Sequence, residues 1–370
     1  LQRVSDDSGL TQLGGDWNRL LAESRTNSFF LRWEWLRIWW ENYRDGDTEL
    51  CIVLVFRDDA LIGIAPFYIR SLTWKNVLKY RRLMFLGTTD ECLLSQHMDL
   101  IYRAGDEKTV VGEVLAYIRN EDLCDEISLQ KVDTSSSTIG VLEEVSRDTN
   151  LLYRVENTAE SPYITLPPDY ETYLKERTSS TRHQVKSNLR KLSRHRGVEF
   201  RKTGSPDELK NDFTELVRLH QYRWVPRMLP GSFSDERFFA FQKAVMEEIL
   251  LNNHLELRFL AAAGRNIAVL YNIAYNGKVY FYQSGLDISF DRSLSPGLLL
   301  HNHSIRDAIE RGLGEYDFLL MGNMDSYKKR WSREFRNQCD IYMARPGIRM
   351  LLMSARNAVK DYYNSAQRAR

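Results

Sequence analysis

The sequence predicts an α/β fold in two lobes, and three observations lead there. Helical and strand patterns alternate along the whole chain. A proline-punctuated stretch, Ser161-Pro162 and Leu166-Pro167-Pro168, marks a linker near the middle. Two strand–turn–strand segments with small-residue-rich second strands, 51–70 and 257–276, sit one in each half. Their likeness hints at an internal duplication, although two unrelated hairpins would look alike. A chain of 370 residues suits two domains or one large one. The expected lobes are 1–160 and 161–370.

In the first lobe, Trp17 to Tyr43 reads as one or two helices, with Thr26-Asn27-Ser28 offering capping side chains. Trp33, Leu36, Trp39 and Trp40 recur at helical spacing, a core-packing pattern. Leu50–Phe56 and Leu61–Arg70 read as strands around the turn 57–60. Further strands are expected at Arg82–Leu86, His97–Tyr102, Glu126–Leu129 and Leu152–Glu156, with helices at Val110–Asn120 and Ile139–Thr149.

The second lobe repeats this grammar. Tyr170–Arg196 reads as one basic helix, followed by a strand at Val198–Lys202 and helices at Pro206–Tyr222 and Phe238–Asn252. Leu255–Ala262 and Ile267–Asn276 form a hairpin, and Gly277 turns the chain into Lys278–Gln283. A helix at Leu298–Arg311 and a strand at Tyr316–Leu320 follow. Pro346–Arg370 reads as a mildly basic helix whose apolar face argues mainly for packing.

Composition removes several function classes. Hydrophobic residues are 43% and charged residues 27%, an ordinary globular balance. The net charge of +1 gives no global attraction for nucleic acid, so no DNA partner is expected and a charged ligand must meet a local patch. The cysteines (51, 92, 124 and 339) are widely spaced and form no C-x-x-C pair, which predicts neither zinc nor disulfides and fits a reducing cytoplasm. No segment reaches the roughly 20 apolar residues of a membrane span, and the polar N-terminal stretch does not look like a signal peptide.

Chemistry concentrates between residues 279 and 331. The strand ending at Gln283-Ser284-Gly285 leads through a polar loop to Ser295-Pro296-Gly297-Leu298-Leu299, where a helix begins. A helix start has free N–H donors and a positive dipole end, so it is an anion site or simply a helix start. His301 lies near the apolar stripe of that helix and is either a proton shuttle or a hydrogen-bonded core residue. Its neighbour His303 points to another helix face, which argues against a metal. Asp287 follows a strand end and Asp317 lies near one, where ligands gather in α/β sheets; either could take a proton, and Asp317 could equally cap or salt-bridge locally. Tyr282, Gln283, Tyr327 and Lys328 are their candidate neighbours for substrate. Trp224 beside a glycine-containing loop suits stacking or core packing. Arg182, Lys186, Arg190 and Arg194 form one stripe in a segment with a single acid, Glu176, between Lys175 and Arg196. Such a face is solvated, or it grips a nucleotide-sugar, an acidic glycan or tRNA phosphates.

The stretch 255–331 resembles the C-terminal half of the CelD/BcsL-type acyltransferases of the GNAT superfamily, relatives of the FemABX aminoacyltransferases. The marks are the hairpin, Ser284-Gly285 with Asp287, Ser295 to Leu299, Asp317-Phe318, Gly322 and Tyr327-Lys328. Weaker marks extend the likeness over most of the chain: Pro162-Tyr163-Ile164, Arg182, Leu189, and the opening aromatics Phe29, Trp33, Trp35 and Trp39. The resemblance implies a tandem GNAT-like α/β fold, two mixed-sheet lobes flanked by helices. It implies acyl transfer from acyl-CoA, with acetyl-CoA as donor and no metal, to an amine on a sugar or cell-envelope polysaccharide precursor. Ser295, Pro296, Gly297, Leu298 and Leu299 then take the place of the R/Q-x-x-G-x-G/A pyrophosphate loop of simpler GNAT enzymes, which this sequence lacks. The alternatives are a FemABX-like transferase using aminoacyl-tRNA, and a non-catalytic module holding glycan or a partner protein.

Overall fold

A computed structural model describes residues 1–74, 77–90, 94–224, 231–287, 289–321 and 326–345, without the side chains of Arg223, Trp224 and Ser326. The expected C-terminal helix from Pro346, the Trp224 side chain, Cys92 and Gly322 lie outside the described structure.

The chain begins with β1 (Gln2–Val4), α1 (Asp7–Gln12), α2 (Gly14–Glu23) and α3 (Trp33–Tyr43). Next come β2 (Thr48–Arg57), β3 (Ala60–Trp74), β4 (Leu78–Phe85), β5 (Ile101–Tyr102), α4 (Glu107–Asn120), β6 (Glu126–Asp133), α5 (Ser137–Asp148) and β7 (Leu152–Thr165). The second half holds α6 (Tyr170–Glu176), α7 (Ser179–Leu192), β8 (Glu199–Lys202), α8 (Pro206–Trp224), α9 (Glu236–Leu251), β9 (Leu255–Ala262), β10 (Arg265–Tyr275), β11 (Lys278–Leu286), α10 (Pro296–Glu310), β12 (Glu315–Asp317) and β13 (Glu334–Ala344).

Two compact units result. The first contains Leu1–Asn27, Arg44–Thr158 and the chain from Cys339; the second contains Ser28–Tyr43 and Ala159–Gln338. Each carries a mixed sheet with helices, the tandem GNAT-like arrangement. The first unit orders its strands β1-β2-β3-β4-β6, with β4 and β6 parallel. Its β2–β3 hairpin turns at Asp58 and Asp59, both at positive φ. Asp99 is buried there and accepts hydrogen bonds from Ser136 Oγ (2.5 Å), Thr138 Oγ1 (2.6 Å) and Leu100 N (2.8 Å).

In the second unit the order is β12-β11-β10-β9-β8, with the last residues of β7 pairing β12. Asn276 and Gly277, both at positive φ, make the two-residue turn between β10 and β11. Strands β11 and β12 are parallel and joined by α10, a right-handed crossover by rule. On the opposite face, α8 lies so close to β11 that a Cβ on Gly285 would stand 2.6 Å from the His220 backbone nitrogen. Only glycine allows that approach. Helix α3 buries Trp35 and Trp39, and Trp35 meets Phe241 of α9 edge-on at 4.9 Å.

Three departures from the expected elements have local causes. The basic stretch splits because Arg177 turns extended and Thr178 caps a new helix through Thr181 N (3.1 Å). Strand β7 runs on past Glu156 and through Ser161-Pro162 to Thr165, so those letters mark a strand residue without a donor, not a free linker. Strand β12 ends at Asp317: the Phe318 N–H still donates to Pro162 O (2.9 Å) in register with β7, and the positive φ of Leu319 then breaks the extended run.

Candidate functional site

Strands β11 and β12 pair only at Lys278–Glu315, Val279–Tyr316 and Tyr280–Asp317. Beyond that point β11 continues to Leu286 beside β10, while the chain after β12 leaves it. The parting is accompanied by a cavity of ≈ 430 Å³ within the second unit. Leu270, Ser284 and Leu286 line it from the strands. Arg292, Leu294, Ser295, Pro296, Gly297, Leu298 and His301 line it from the loop and α10, and Tyr327, Arg330 and Trp331 from the segment after β12. None of these residues carries a carboxylate, and two are arginines.

The N-terminus of α10 belongs to this wall. Pro296 opens the helix, Ser295 makes no side-chain cap, and the first-turn N–H groups have no intrahelical acceptor. A Cβ on Gly297 would meet only the Leu286 side chain, at 3.2 Å. The loop before the helix is braced by α7 and the residues just past it. Asn188 Oδ1 accepts from Ser295 N (2.7 Å), Lys191 Nζ donates to Ser293 O (2.6 Å), and His195 Nε2 meets Asp291 Oδ2 (3.2 Å). The positive helix end, Arg292 and Arg330 make an apolar pocket with an anion-seeking rim.

His301 stands one turn after Gly297, fully within the fold but lining the cavity. Its Nδ1 lies 3.2 Å from the Tyr316 hydroxyl. Burial, and secondly the charge of Lys328, pushes the imidazole down to about 3, so the ring is neutral at physiological pH. A ring so firmly neutral favours the hydrogen-bonded core reading over the proton shuttle, both of which the sequence offered. Lys328 is itself buried and donates to the carbonyls of Phe318 (2.8 Å) and Leu320 (2.9 Å). It supports the wall and is not part of the lining.

The structure therefore brings Ser295, Pro296, Gly297, Leu298, His301 and Tyr327 together, and leaves the other described candidates elsewhere. Leu299 is in the core under α10. Asp317 is buried and held by Leu319 N (2.7 Å), Ser161 Oγ (3.2 Å) and Arg336 Nη1 (3.2 Å). Asp287 accepts from Ser289 N (3.0 Å) and Oγ (2.7 Å) and pairs with Arg265 (3.7 Å). Neither acid lines the cavity, because each carboxylate satisfies backbone and side-chain donors where its strand ends. Arg182 donates to the carbonyls of Lys175 (3.1 Å) and Arg177 (2.6 Å), closing the end of α6. Lys186, Arg190 and Arg194 are exposed on α7 and its continuation.

Tyr282 is displaced by a β-bulge. Leu270 pairs Ser284, yet Asn272 pairs Phe281, so β11 carries one extra residue there. Simple alternation would put Tyr282 on the cavity face with Ser284 and Leu286. The bulge instead gives that face to Phe281, which meets His301 edge-on at 4.5 Å. Tyr282 accepts from Gln242 of α9 (2.9 Å) and packs on Trp35 and Phe30, and Gln283 pairs Tyr271; neither lines the cavity. Sequence reasoning passed over Arg292, Arg330, Trp331 and Tyr316. Only the two arginines carried a signal, Arg292 as a lone cation before the helix start and Arg330 as the last of three consecutive cations after Tyr327.

Among the described residues no group of three or more His, Cys, Asp or Glu is placed to hold a metal ion. No described helix is long and apolar enough to cross a membrane. Cys51, Cys124 and Cys339 are buried free thiols.

Residues 179–329 match the acetyltransferase (GNAT) domain family, a span that contains the loop, α10 and most of the cavity wall. No curated protein matches the sequence significantly. The solved structure of FemX superposes with a TM-score of 0.60 at 11% identity, covering 91% of this chain and 97% of that one. A conserved protein of unknown function from Bacteroides thetaiotaomicron VPI-5482 gives 0.57 at 12% identity, covering 93% and 100%. L-PGS from Bacillus licheniformis gives 0.53 at 12%, covering 92% and 94%. At such identities these likenesses speak for the fold alone. The segment 179–329 is thus similar to the acetyltransferase (GNAT) domain family, a match that spans 151 of the 370 residues.

Proposed function

We propose that the cavity of the second unit binds the acyl donor as a CoA thioester, with acetyl-CoA as the first choice, and that the acyl group passes to an amine. The observation that carries this reading is the convergence at one apolar cavity of an uncapped helix N-terminus, Arg292 and Arg330, with no carboxylate in the lining. A pyrophosphate suits the helix end and the arginines, and a thin acyl-bearing arm suits the leucine-lined interior. Ser295, Pro296, Gly297 and Leu298 would meet the phosphates, and Tyr327 the acyl arm. Positioning and backbone donors then supply much of the rate enhancement. A sugar or cell-envelope precursor as acceptor rests on the resemblance to the CelD/BcsL-type enzymes.

A second reading is favoured by one feature. Helix α7 contains no acid, and its Lys186 and Arg190 are exposed, as is Arg194 just beyond it, a surface that suits an aminoacyl-tRNA donor. The two readings separate in one assay. Thiol release from acyl-CoAs is followed with amino sugars as acceptors, beside transfer from charged tRNA. Thiol release that depends on the amine supports the first reading; transfer from tRNA with no response to any acyl-CoA overturns it.

A further inference from the structure

We propose that His301 serves the transfer as a neutral hydrogen-bond donor, its proton held on Nε2 by Tyr316, and that it does not act as the base. The inference rests on the acyl-thioester reading above and adds a role for one side chain in it.

Tyr316 is fully buried, and its hydroxyl is 3.2 Å from His301 Nδ1 and 3.4 Å from Asn272 Nδ2. Asn272 Nδ2 also lies 2.9 Å from Ser304 Oγ. An amide NH₂ only donates, so Asn272 occupies the acceptor side of both hydroxyl oxygens. The phenol proton of Tyr316 then has two acceptors beside it, Ser304, with which the hydroxyl also hydrogen-bonds, and His301 Nδ1; donated to Nδ1, it makes that the unprotonated nitrogen. A neutral imidazole has one proton, and it falls on Nε2. Nε2 has no hydrogen-bond partner among the described residues, on a side chain that lines the cavity. With the Asn272 amide turned the other way the chain reverses and Nδ1 carries the proton, which is the outcome the experiment below reads.

The surroundings favour a donor. The Lys328 ammonium stands 5.5 Å from the Phe281 ring, and that ring packs edge-on against the imidazole. A second cation here is unfavourable, whereas negative charge on a ligand oxygen is welcome. Tyr327 and Trp331 complete the ring's apolar contacts at 6.3 and 5.7 Å. In the transfer, the amine nitrogen attacks the thioester carbonyl carbon, a C–N bond forms, and the carbonyl electron pair moves to oxygen, where Nε2–H holds it. Return of that pair breaks the C–S bond, and the sulfur leaves with the proton that the amine gives up. His301 keeps its own proton throughout.

The test combines a tautomer measurement with kinetics. Full-length protein labelled with ¹⁵N-histidine is examined by long-range ¹H–¹⁵N correlation, and the His301 ring is assigned by its loss in His301→Gln. The expected ring is neutral from pH 5 to 8, with a pyrrole-type Nε2 and a pyridine-type Nδ1, and Tyr316→Phe loosens that preference. In thiol release from acetyl-CoA, His301→Gln, which keeps an N–H near Nε2, stays within about tenfold of wild-type kcat. His301→Ala loses about 10²–10³-fold, with KM little changed. A pyrrole-type Nδ1, an imidazolium at neutral pH, or a folded His301→Gln as slow as His301→Ala overturns the proposal. A wild type that binds no acyl-CoA and turns none over overturns the donor reading itself, and with it the catalytic role, whatever the tautomer. An Nδ1–H ring in a turnover-competent wild type overturns this proposal alone.

Discussion

Gly285 is where the architecture of the site can be tested most sharply. In Gly285→Ala the new methyl would stand 2.6 Å from His220 N, 2.6 Å from Leu219 Cβ and 2.7 Å from Leu219 C. Ordinary contact begins at 3.4 Å, so helix α8 and strand β11 must separate by about 0.8 Å. Two of the three atoms are backbone and cannot rotate away. Overpacking typically costs about 1–3 kcal/mol, and this geometry puts the variant at the upper end, about 3 kcal/mol. For a unit of this size that lowers Tm by roughly 6–12 °C. Ser284 and Leu286 flank the substituted residue and line the cavity, so ligand affinity falls as well. Gly297→Ala is the internal control. Its methyl meets only the end of the Leu286 side chain, at 3.2 Å, and a helix gains from alanine, so the change stays within about 1 kcal/mol. Differential scanning calorimetry reads both variants. A Gly285→Ala protein melting within about 1 °C of wild type would refute the rigid approach of α8 to β11.

Burial raises the Asp99 carboxyl from 3.8 to about 6, despite its hydrogen bonds from Ser136 and Thr138. The folded state then binds more protons than the unfolded chain between those values, so this group's contribution is fully present below pH 4 and is lost as pH rises to about 6. The shift corresponds to roughly 3 kcal/mol, and the stability difference between wild type and Asp99→Asn should change by that order across the window in urea titrations; a pH-independent difference contradicts it. Arg292→Gln and Arg330→Gln should each weaken CoA binding by about tenfold, with a flatter salt dependence and an unchanged Tm without ligand. Isothermal titration at two ionic strengths checks this, and equal affinity in both variants removes the arginines from the anion site.

Much of the second unit was legible because its signals are local. Asn276-Gly277 allows few turns, and Ser295-Pro296-Gly297 announces a helix start wherever it lies. What escaped depends on direction and on distant partners. Tyr282 was expected beside the substrate, but one extra residue in β11 reverses the alternation and sends it to α9. Asp317 looked like a carboxylate at a strand end, and its occupation by Ser161 and Arg336 required the fold to bring residues 161 and 336 together. The extension of β7 through Pro162 was hidden because proline usually signals a break, whereas here its carbonyl takes the Phe318 N–H. Tyr316 carried no signal at all, since only the packing of α10 on β12 brings its hydroxyl to His301.

Whether the cavity at the start of α10 holds the acyl donor is decided by one titration. Acetyl-CoA is titrated calorimetrically into the wild type and into Gly297→Trp, whose indole would occupy the space beside Leu286. Saturable binding to the wild type is expected, with its loss by at least about 100-fold in a variant that melts normally. Equal binding to both proteins would contradict it.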